Sequence, residues 1–257
     1  MDQRGRVEEE LLSDEDEENF QAAIQTPTGS QGRVIRQSAD FRSNHTFPPF
    51  SRLPDDNSIH EGFYTSQDEF HYFPRRHWCF FGEVVSVQFF ARLRIVVRDK
   101  SGTMVPIAFY DDGRGTEFLG KVRPGFTVAI LYAIQHGFLD LTTGIRLEDC
   151  SSIEVLPLPL TELFQLSDKV YQYYTETDGK RKCHGCDKQK TSLLRCAKCS
   201  FFWYCSKDCQ IEGWNKKGHK QDCKILWDTD LQSMFLLKWD YFTRSVEFPL
   251  MIGNERE

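Results

Sequence analysis

Apolar and polar positions alternate along the middle of the chain, between residues 77 and 156. Five short segments there are rich in valine, isoleucine, phenylalanine and tyrosine, which favours β-strands. The segments read WCFFGEVVSV, ARLRIVVRD, MVPIAFYD, FTVAILYAIQ and RLEDCSSIEVL. In the second segment, one face carries Leu93, Ile95 and Val97, and the other carries Arg92, Arg94 and Val96. Since successive side chains of a strand point to opposite faces, the first set is predicted to lie in a core and the arginines outside it.

Turn sequences separate several of these segments. DKSG at 99–102 predicts a tight hairpin, and RPG at 123–125 and TTG at 142–144 also break the chain. Between the third and fourth segments, RGTEFLGKV predicts a short helix with Thr116 as its N-cap. Five strands with a helix between the third and fourth are typical of an OB-type barrel, and the run from Arg98 to Ala133 resembles that family. The predicted fold is mostly β, with a five-stranded OB-like barrel over residues 70–157.

Two further segments show helical spacing. Residues 158–180 predict a connector helix with Thr161 as its N-cap. Its apolar positions are Leu160, Leu163, Phe164, Val170 and Tyr171. Residues 227–257 are assigned to a C-terminal helix, which runs as one amphipathic element over 231–248 and stops near Pro249. This helix is expected to pack on the chain's own body, with docking of a partner as the alternative.

The first 69 residues have a different composition. They contain 15 acidic and 6 basic residues, and the run EEELLSDEDEE at 8–18 concentrates the acids. The rest of the segment is rich in Ser, Pro, Asn and Gly with scattered aromatics. Such a composition buries too little apolar area to offset its ordering entropy, so we predict a disordered acidic tail over 1–69.

The chain shows no stretch of about 18 apolar residues, so no membrane span and no membrane partner are predicted. Its first ten residues lack the apolar core of a secretory signal, and we expect an intracellular protein of the nucleus or cytoplasm. Seven of the nine cysteines lie between 183 and 223, which in a reducing compartment favours metal binding over disulfides. Cys79 and Cys150 stand apart in apolar surroundings and are interpreted as buried core thiols.

Eight candidate metal ligands follow one another in four pairs. They are Cys183 and Cys186, Cys196 and Cys199, Cys205 and Cys209, and His219 and Cys223. A C-x2-C pair places two thiolates on one knuckle, and ligands four residues apart share a face of a helical turn. Eight ligands make two tetrahedral sites. From the spacing alone, the pairs can be assigned sequentially or in an interleaved order.

The order and spacing of these ligands resemble the MYND zinc finger over residues 183–223. Further matches are a tyrosine before Cys205, Gln210 directly after Cys209, Trp214 four residues on, and Lys220 after His219. RING and PHD fingers place their histidine earlier, and HIT-type fingers lack the Gln and Trp. The resemblance implies that Cys183, Cys186, Cys205 and Cys209 hold one zinc ion, and that Cys196, Cys199, His219 and Cys223 hold the other. Four ligands per ion leave no open position, so both sites are expected to be structural.

The resemblance also implies a function for residues that hold no metal. In that family, the region around Gln210 and Trp214 forms a shallow groove for short proline-containing peptides of the P-x-L-x-P kind. The alternative for Trp214 is that it fills the small zinc core, and for Gln210 that it is an ordinary exposed helix residue. The leading hypothesis is a non-enzymatic adaptor, connected with transcriptional regulation, whose partners are proteins with short proline-rich motifs.

The second hypothesis is single-stranded nucleic-acid binding through the barrel. The candidate residues are Arg92 and Arg94 with the nearby aromatics Phe89 and Tyr110, because such barrels combine basic and stacking side chains on one face. Against this, residues 70–157 carry 10 basic and 9 acidic residues, and a dedicated nucleic-acid binder is usually more basic. A third possibility, a lysine methyltransferase of the SET type, lacks the long catalytic region and its motifs in this sequence.

Overall fold

The structure is a computed structural model, and it describes residues 34–66, 68 and 70–250. The acidic run at 8–18 and the final residues 251–257 of the predicted C-terminal helix lie outside the described residues. In the part that the structure describes, no helix is long and apolar enough to cross a membrane.

Fifteen strands and four α-helices form within the described residues. Ten strands precede the first helix: β1 (Val34–Arg36), β2 (Tyr64–Ser66), β3 (Tyr72–Pro74), β4 (Cys79–Phe89), β5 (Leu93–Asp99), β6 (Met104–Phe109), β7 (Thr127–Leu131), β8 (His136–Gly137), β9 (Thr143–Leu147) and β10 (Ile153–Leu156). The remaining elements are α1 (Leu160–Tyr174), β11 (Glu176–Thr177), β12 (Lys180–Lys182), β13 (Gln189–Lys190), β14 (Leu194–Arg195), β15 (Trp203–Tyr204), α2 (Lys207–Asn215), α3 (His219–Ile225) and α4 (Thr229–Leu236).

The central sheet closes into a barrel of OB topology. Strand β4 pairs antiparallel with β5 on one edge and with β7 on the other, and β5 pairs antiparallel with β6. Strand β6 pairs in parallel with β9, and β10 pairs antiparallel with β7. The order of paired strands is thus β10, β7, β4, β5, β6, β9. Because β9 and β10 are consecutive in the chain, the sheet closes into a barrel. A meander of three strands whose third strand runs parallel to the fifth is the arrangement of the OB barrel, which confirms the predicted fold class.

The fifth predicted strand is divided in two by a 3-10 turn at Cys150–Ser152. The carboxylate of Asp149 accepts a hydrogen bond from the Ser151 backbone N–H at 2.8 Å, which turns the chain between β9 and β10. This turn lets one segment pair with two different strands. The predicted alternation in β5 is confirmed, since Leu93, Ile95 and Val97 are fully buried.

Two local predictions change at the ends of helices. The short helix before β7 is a 3-10 turn over Thr116–Phe118 whose N-cap is Gly115, and the Thr116 hydroxyl donates to the Gly113 carbonyl. Helix α1 begins after Pro159, so Thr161 lies inside it. The Leu160 N–H is instead satisfied by the Glu83 carboxylate of the barrel at 3.0 Å. The buried face of α1 includes Tyr173 and leaves Tyr171 exposed.

Much of the predicted disordered tail belongs to the folded unit. Residues 34–66 form an arm, defined here as the N-terminal arm, that contributes β1 and β2. Strand β1 pairs with β11, and the Thr46 carbonyl accepts from the Cys79 N–H of the barrel at 3.1 Å. Its Phe41 and Phe47 are fully buried, and Leu53 and Phe63 are nearly so. The composition of residues 1–69, averaged over the segment, hides these apolar positions. The part of the prediction that covers residues 34–66 therefore differs from the structure.

The predicted helix over 231–248 is wrong beyond Leu236. Helix α4 ends there, and Leu237 takes an extended conformation. The following chain is held by contacts that a helix could not make. The Trp239 carbonyl accepts from the His77 N–H, and the Val246 N–H donates to the Tyr132 hydroxyl, both on the barrel side. Tertiary hydrogen bonds thus override the helical spacing of the apolar residues.

Barrel, N-terminal arm and cysteine-rich region share one hydrophobic core. A relay of aromatic rings, called here the aromatic relay, crosses it. Its members in order are Phe81 of the barrel, Phe47 and Phe41 of the arm, Phe235 of α4, and Phe201 between the second and third cysteine pairs. Successive ring centroids lie 5.0, 4.9, 4.3 and 5.5 Å apart, within the range of favourable aromatic contacts. The cysteine-rich region is therefore fixed to the barrel.

We expect Phe47→Ala to lower the free energy of unfolding by about 3–5 kcal/mol, because it opens a cavity in the aromatic relay. Denaturant unfolding of the full chain measures the change. Phe70→Ala is the control, since that ring is 84% exposed and its loss is expected to change stability by less than about 0.5 kcal/mol. Equal midpoints for the two variants would show that the arm does not belong to the core.

Candidate metal centre

The eight predicted ligands converge into two clusters of four. Cys183, Cys186, Cys205 and Cys209 form the first, and Cys196, Cys199, His219 and Cys223 form the second. Within each cluster, all ligand atoms lie within 4.8 Å of one another. The first pair therefore joins the third, and the second joins the fourth. This is the interleaved order that the sequence spacing left open and the family resemblance implied.

The distances fit zinc. In the first cluster, the Sγ atom of Cys205 lies 3.7 Å from that of Cys183, 3.6 Å from Cys186 and 3.3 Å from Cys209. In the second, the Cys196 and Cys223 sulfurs are 4.0 Å apart. A tetrahedral ion with bonds of about 2.3 Å holds its sulfur ligands about 3.8 Å apart. Four thiolates suit one zinc ion, and three thiolates with one imidazole suit the other.

Both C-x2-C knuckles are built in the same way. The residue after each second cysteine, Asp187 or Ser200, adopts the left-handed conformation, with φ of 62° and 65°. Its N–H returns to the carbonyl of the first cysteine, at 2.8 Å for Cys183 and 3.0 Å for Cys196. The tight turn brings the two sulfurs of each pair to one side. Of the other two pairs, His219 and Cys223 both lie on α3, whereas Cys209 lies on α2 and Cys205 directly before the N-cap of that helix.

His219 is oriented by Tyr204. The Nε2 atom of His219 lies 3.3 Å from the Cys199 sulfur, so this nitrogen faces the metal position. Its Nδ1 then carries the proton and donates to the Tyr204 hydroxyl. That hydroxyl lies 3.4 Å from Nδ1 of the buried His184, to which it donates in turn. A hydrogen-bond partner on the second imidazole nitrogen fixes the ring orientation and raises the basicity of the nitrogen that binds the metal.

The protonation states support this chain of hydrogen bonds. Burial lowers the pKa of His184 to about 3, with the neighbouring His219 and Lys217 acting in the same direction. The imidazole of His184 is therefore neutral and able to accept at Nδ1. Burial and the nearby thiols raise the pKa of Tyr204, so the hydroxyl keeps the proton that it donates.

Two glycines allow the finger to pack this closely. A Cβ atom at Gly213 on α2 would lie 2.7 Å from the Tyr204 ring and 2.8 Å from Nδ1 of His184. A Cβ atom at Gly185 would lie 2.4 Å from the Cys209 carbonyl oxygen. Neither contact is sterically possible, so a larger side chain would separate α2 from the rest of the finger. Sequence reasoning did not single out these glycines.

Helix α1 joins the finger through two polar contacts. The Lys169 ammonium lies 2.9 Å from the carboxylate of Asp222 on α3, whose side chain is only 9% exposed. The Tyr173 hydroxyl donates to the Asp187 carboxylate at 2.7 Å, next to the first knuckle. With the aromatic relay, these contacts fix how the finger faces the barrel.

The predicted peptide-binding residues lie on one side of α2. Gln210 is exposed, and Trp214 is partly buried with its ring centroid 5.3 Å from that of His219. Residues four apart are neighbours on a helix surface. Ile211, which is 50% exposed, extends this apolar surface, although sequence reasoning missed it. Trp214 thus covers the second metal cluster with part of its surface and leaves another part accessible.

The barrel candidates meet only in part. Arg92, Arg94 and Tyr110 line a groove of about 430 Å³ on the outer face of β5 and β6. Phe89 does not line it. Phe89 pairs with Leu93 and so lies on the opposite face of the sheet from Arg92 and Arg94, where it is 46% exposed at the end of β4. The next residue, Phe90, lines the groove and is 99% exposed.

The two isolated cysteines differ from each other. Cys79 is fully buried in β4, as expected. Cys150 is only partly buried, and burial together with Glu117 and Asp111 raises its pKa to about 12. Neither cysteine belongs to a metal cluster among the described residues.

We expect the wild-type chain to bind two zinc ions. We expect Tyr204→Phe to lower the affinity of the second cluster for zinc by about 10–100-fold, because His219 loses its hydrogen-bond partner. Competition with a metal-sensitive chelator measures both affinities. Tyr241→Phe, on a 67% exposed side chain, is the control and is expected to bind like the wild type. An unchanged zinc affinity of the Tyr204 variant would contradict the assigned orientation.

Comparisons with known proteins converge on the finger. The MYND finger family matches residues 183–223. A SET and MYND domain-containing protein of Dictyostelium discoideum is 33% identical over 106 residues, which cover 37% of this chain and 19% of that protein. The human histone-lysine N-methyltransferase SMYD3 is 39% identical over 74 residues, covering 28% and 16%. The chain thus spans less than a fifth of either relative.

Among solved structures, the Schizosaccharomyces pombe Pot1pC domain bound to single-stranded DNA matches with a TM-score of 0.28 and 12% identity. That match covers 38% of this chain and 93% of the other.

The ligand order, the interleaved clusters and the family match agree on the assignment of the cysteine-rich region. Residues 183–223 are a MYND-type zinc finger with two structural zinc sites.

Proposed function

We propose that this protein is a non-enzymatic adaptor whose MYND finger recruits partners through short proline-containing peptides of the P-x-L-x-P kind. The observation that carries the proposal is the surface of α2, where Gln210, Ile211 and Trp214 lie together and reach solvent. The zinc sites themselves have four protein ligands each and offer no position for a substrate. The working part is therefore the finger's surface.

The chemistry of this surface suits proline-rich ligands. An indole face packs well on proline rings, and the Gln210 amide can both donate to and accept from a peptide backbone. A proline-rich peptide is already extended, so little conformational entropy is lost on binding. The finger's rigid attachment to α1 and the barrel also reduces the ordering cost on the protein side.

The charge of the finger favours acidic flanks on the partner. Residues 180–226 carry 12 basic and 4 acidic residues. The difference is a net charge of +8 before metal binding. Deprotonation of the seven thiols lowers it by seven, and two Zn²⁺ ions raise it by four, which gives +5 for the zinc-loaded finger. Positive charge of this size accelerates association with acidic partners, and salt screens the effect. The role in transcriptional regulation and the nuclear location remain predictions.

Binding of a labelled P-x-L-x-P peptide to the zinc-loaded chain tests the proposal by fluorescence anisotropy. We expect Trp214→Ala to weaken binding at least tenfold, because a central aromatic anchor is worth about 2 kcal/mol or more. Gln210→Ala is expected to weaken it as well. Since Gln210 is exposed, that variant removes peptide contacts without loosening the finger.

Trp227→Ala is the matched control, because that tryptophan is 55% exposed and lies outside α2. Zinc content is measured for every variant. If Trp227→Ala weakened peptide binding as much as Trp214→Ala does, or if scrambled peptides bound equally well, the α2 surface would not be the recruiting site.

A second candidate function, single-stranded nucleic-acid binding, is supported by the groove on β5 and β6. We define this groove as the stacking groove. The Arg92 guanidinium lies 3.6 Å from the centroid of the Tyr110 ring, and Arg146 lies 4.3 Å from the same ring. Arg94 lies 5.4 Å from the Phe138 centroid. Aromatic rings and guanidinium planes are the surfaces on which unpaired bases stack.

Arg92→Ala/Arg94→Ala is expected to abolish most binding of an oligothymidylate and to reduce its dependence on salt concentration. The Arg94–Asp140 ion pair that this variant breaks is exposed, so little stability is lost. Arg75→Ala/Arg123→Ala is the charge-matched control, since both side chains are exposed and neither lines the stacking groove. Equal loss in the control would indicate binding through charge alone.

A further inference from the structure

A second groove lies at the opposite end of β5 from the stacking groove. Its volume is about 820 Å³, and its walls come from the N-terminal arm, the start of α1 and the turn after β5. Four cationic side chains line it: Arg42, Arg52, Arg98 and Lys100. We call it the arm groove.

The two carboxylates that line the arm groove accept hydrogen bonds from backbone N–H groups of the groove itself. The Asp99 carboxylate accepts from the backbone N–H groups of Phe50, Ser101 and Thr103, each at 2.8 Å. The Glu83 carboxylate caps α1 through the Leu160 N–H at 3.0 Å. These bonds tie the arm, the hairpin and the helix together. The oxygens of both carboxylates thus accept hydrogen bonds from backbone N–H groups of the groove walls.

Among the residues that the structure describes, three of these cations form no ion pair with a carboxylate. Arg42 forms an ion pair with Asp168 at 2.7 Å, but among the described residues Arg52 and Arg98 form none. The Lys100 ammonium donates to the carbonyl oxygens of Arg42 and Ser43, at 3.0 and 3.2 Å. Burial lowers the pKa of Lys100 to about 8, with Arg52 and Arg42 acting in the same direction against Asp40 and Asp99. The cationic side chains of Arg52 and Arg98, exposed in the groove without an ion-pair partner among the described residues, favour an anionic ligand there.

The two grooves lie on the same face of the barrel. Arg94 lines the stacking groove and Arg98 lines the arm groove. Both alternate with the buried residues of β5, so both side chains point outward. Four residues of a strand span about 13 Å. Between the two arginines lie Val96 and its cross-strand neighbour Pro106, whose side chains are short and uncharged.

We propose that a single nucleic-acid strand stacks its bases in the stacking groove, follows β5, and places its next phosphates in the arm groove at Arg52, Arg98 and Lys100. This inference rests on the second candidate function. Arginine binds phosphate oxygens in a bidentate manner, and Ser51 also lines the arm groove. An acidic peptide matches the arm groove alone, whereas a nucleic-acid strand matches both grooves and the face that joins them.

The experiment compares oligothymidylates of about 4 and about 12 nucleotides on the zinc-loaded full chain, lengths that bracket the usual site size of one barrel. Arg52→Ala/Arg98→Ala is expected to lower the affinity for the longer strand at least tenfold at low salt and to leave the affinity for the shorter one unchanged. The slope of log affinity against log salt for the longer strand falls by about 1.4, because two phosphate contacts are lost. Both side chains are exposed, so a thermal melt should match the wild type.

The outcomes separate this proposal from the function on which it rests. If Arg52→Ala/Arg98→Ala binds the longer strand like the wild type while Arg92→Ala/Arg94→Ala does not, the arm groove is no part of the path, and nucleic-acid binding stands. If neither length binds the wild type, both proposals fail. Binding of a Glu-rich peptide that is lost in Arg52→Ala/Arg98→Ala, without oligonucleotide binding, would assign the arm groove to a protein ligand. Arg75→Ala/Arg123→Ala again controls for net charge.

Discussion

The aromatic relay is the contact on which the arrangement of the molecule depends. Phe41 stacks on Phe235 with an interplanar angle of 9°, and Phe47 stacks on Phe81 with an angle of 18°. These contacts place residues of the N-terminal arm between the barrel and the finger, so the arm adds a second connection to the one that α1 makes. Because zinc ligands such as Cys196 and Cys199 belong to the same core, metal binding and packing of the barrel stabilise each other.

Interleaved zinc coordination makes the finger's surface rigid. Each ion ties together two segments that are distant in sequence, and the chain of hydrogen bonds through Tyr204 links the second site to His184, which lies beside a ligand of the first. A segment of this size has too small a core to fold on apolar contacts alone. The two metal sites therefore stabilise the finger in place of a hydrophobic core and hold α2, on which Gln210 is exposed and Trp214 is partly buried.

The sequence was most informative where local chemistry determines structure. Cysteine spacing and the alternation in β5 predicted the metal ligands and the barrel face, since both patterns depend on residues close together in the chain. It failed where long-range contacts decide. The composition of residues 1–69 concealed Phe41 and Phe47, and the spacing over 231–248 favoured a helix that tertiary hydrogen bonds prevent. Phe89 and Phe90 could not be told apart, because strand register decides which ring reaches the groove.

The integrated core bears on how the two proposed recognition surfaces would work together. A finger on a flexible linker would sample many positions relative to the barrel, and a partner touching both would pay for restricting that motion. Here helix α1, the salt bridge from Lys169 to Asp222 and the aromatic relay set the relative position in advance. A ligand whose two binding segments match this geometry gains from a high effective concentration, whereas one with a mismatched spacing gains nothing. Rigid spacing between surfaces therefore adds a level of partner selection beyond the chemistry of either groove.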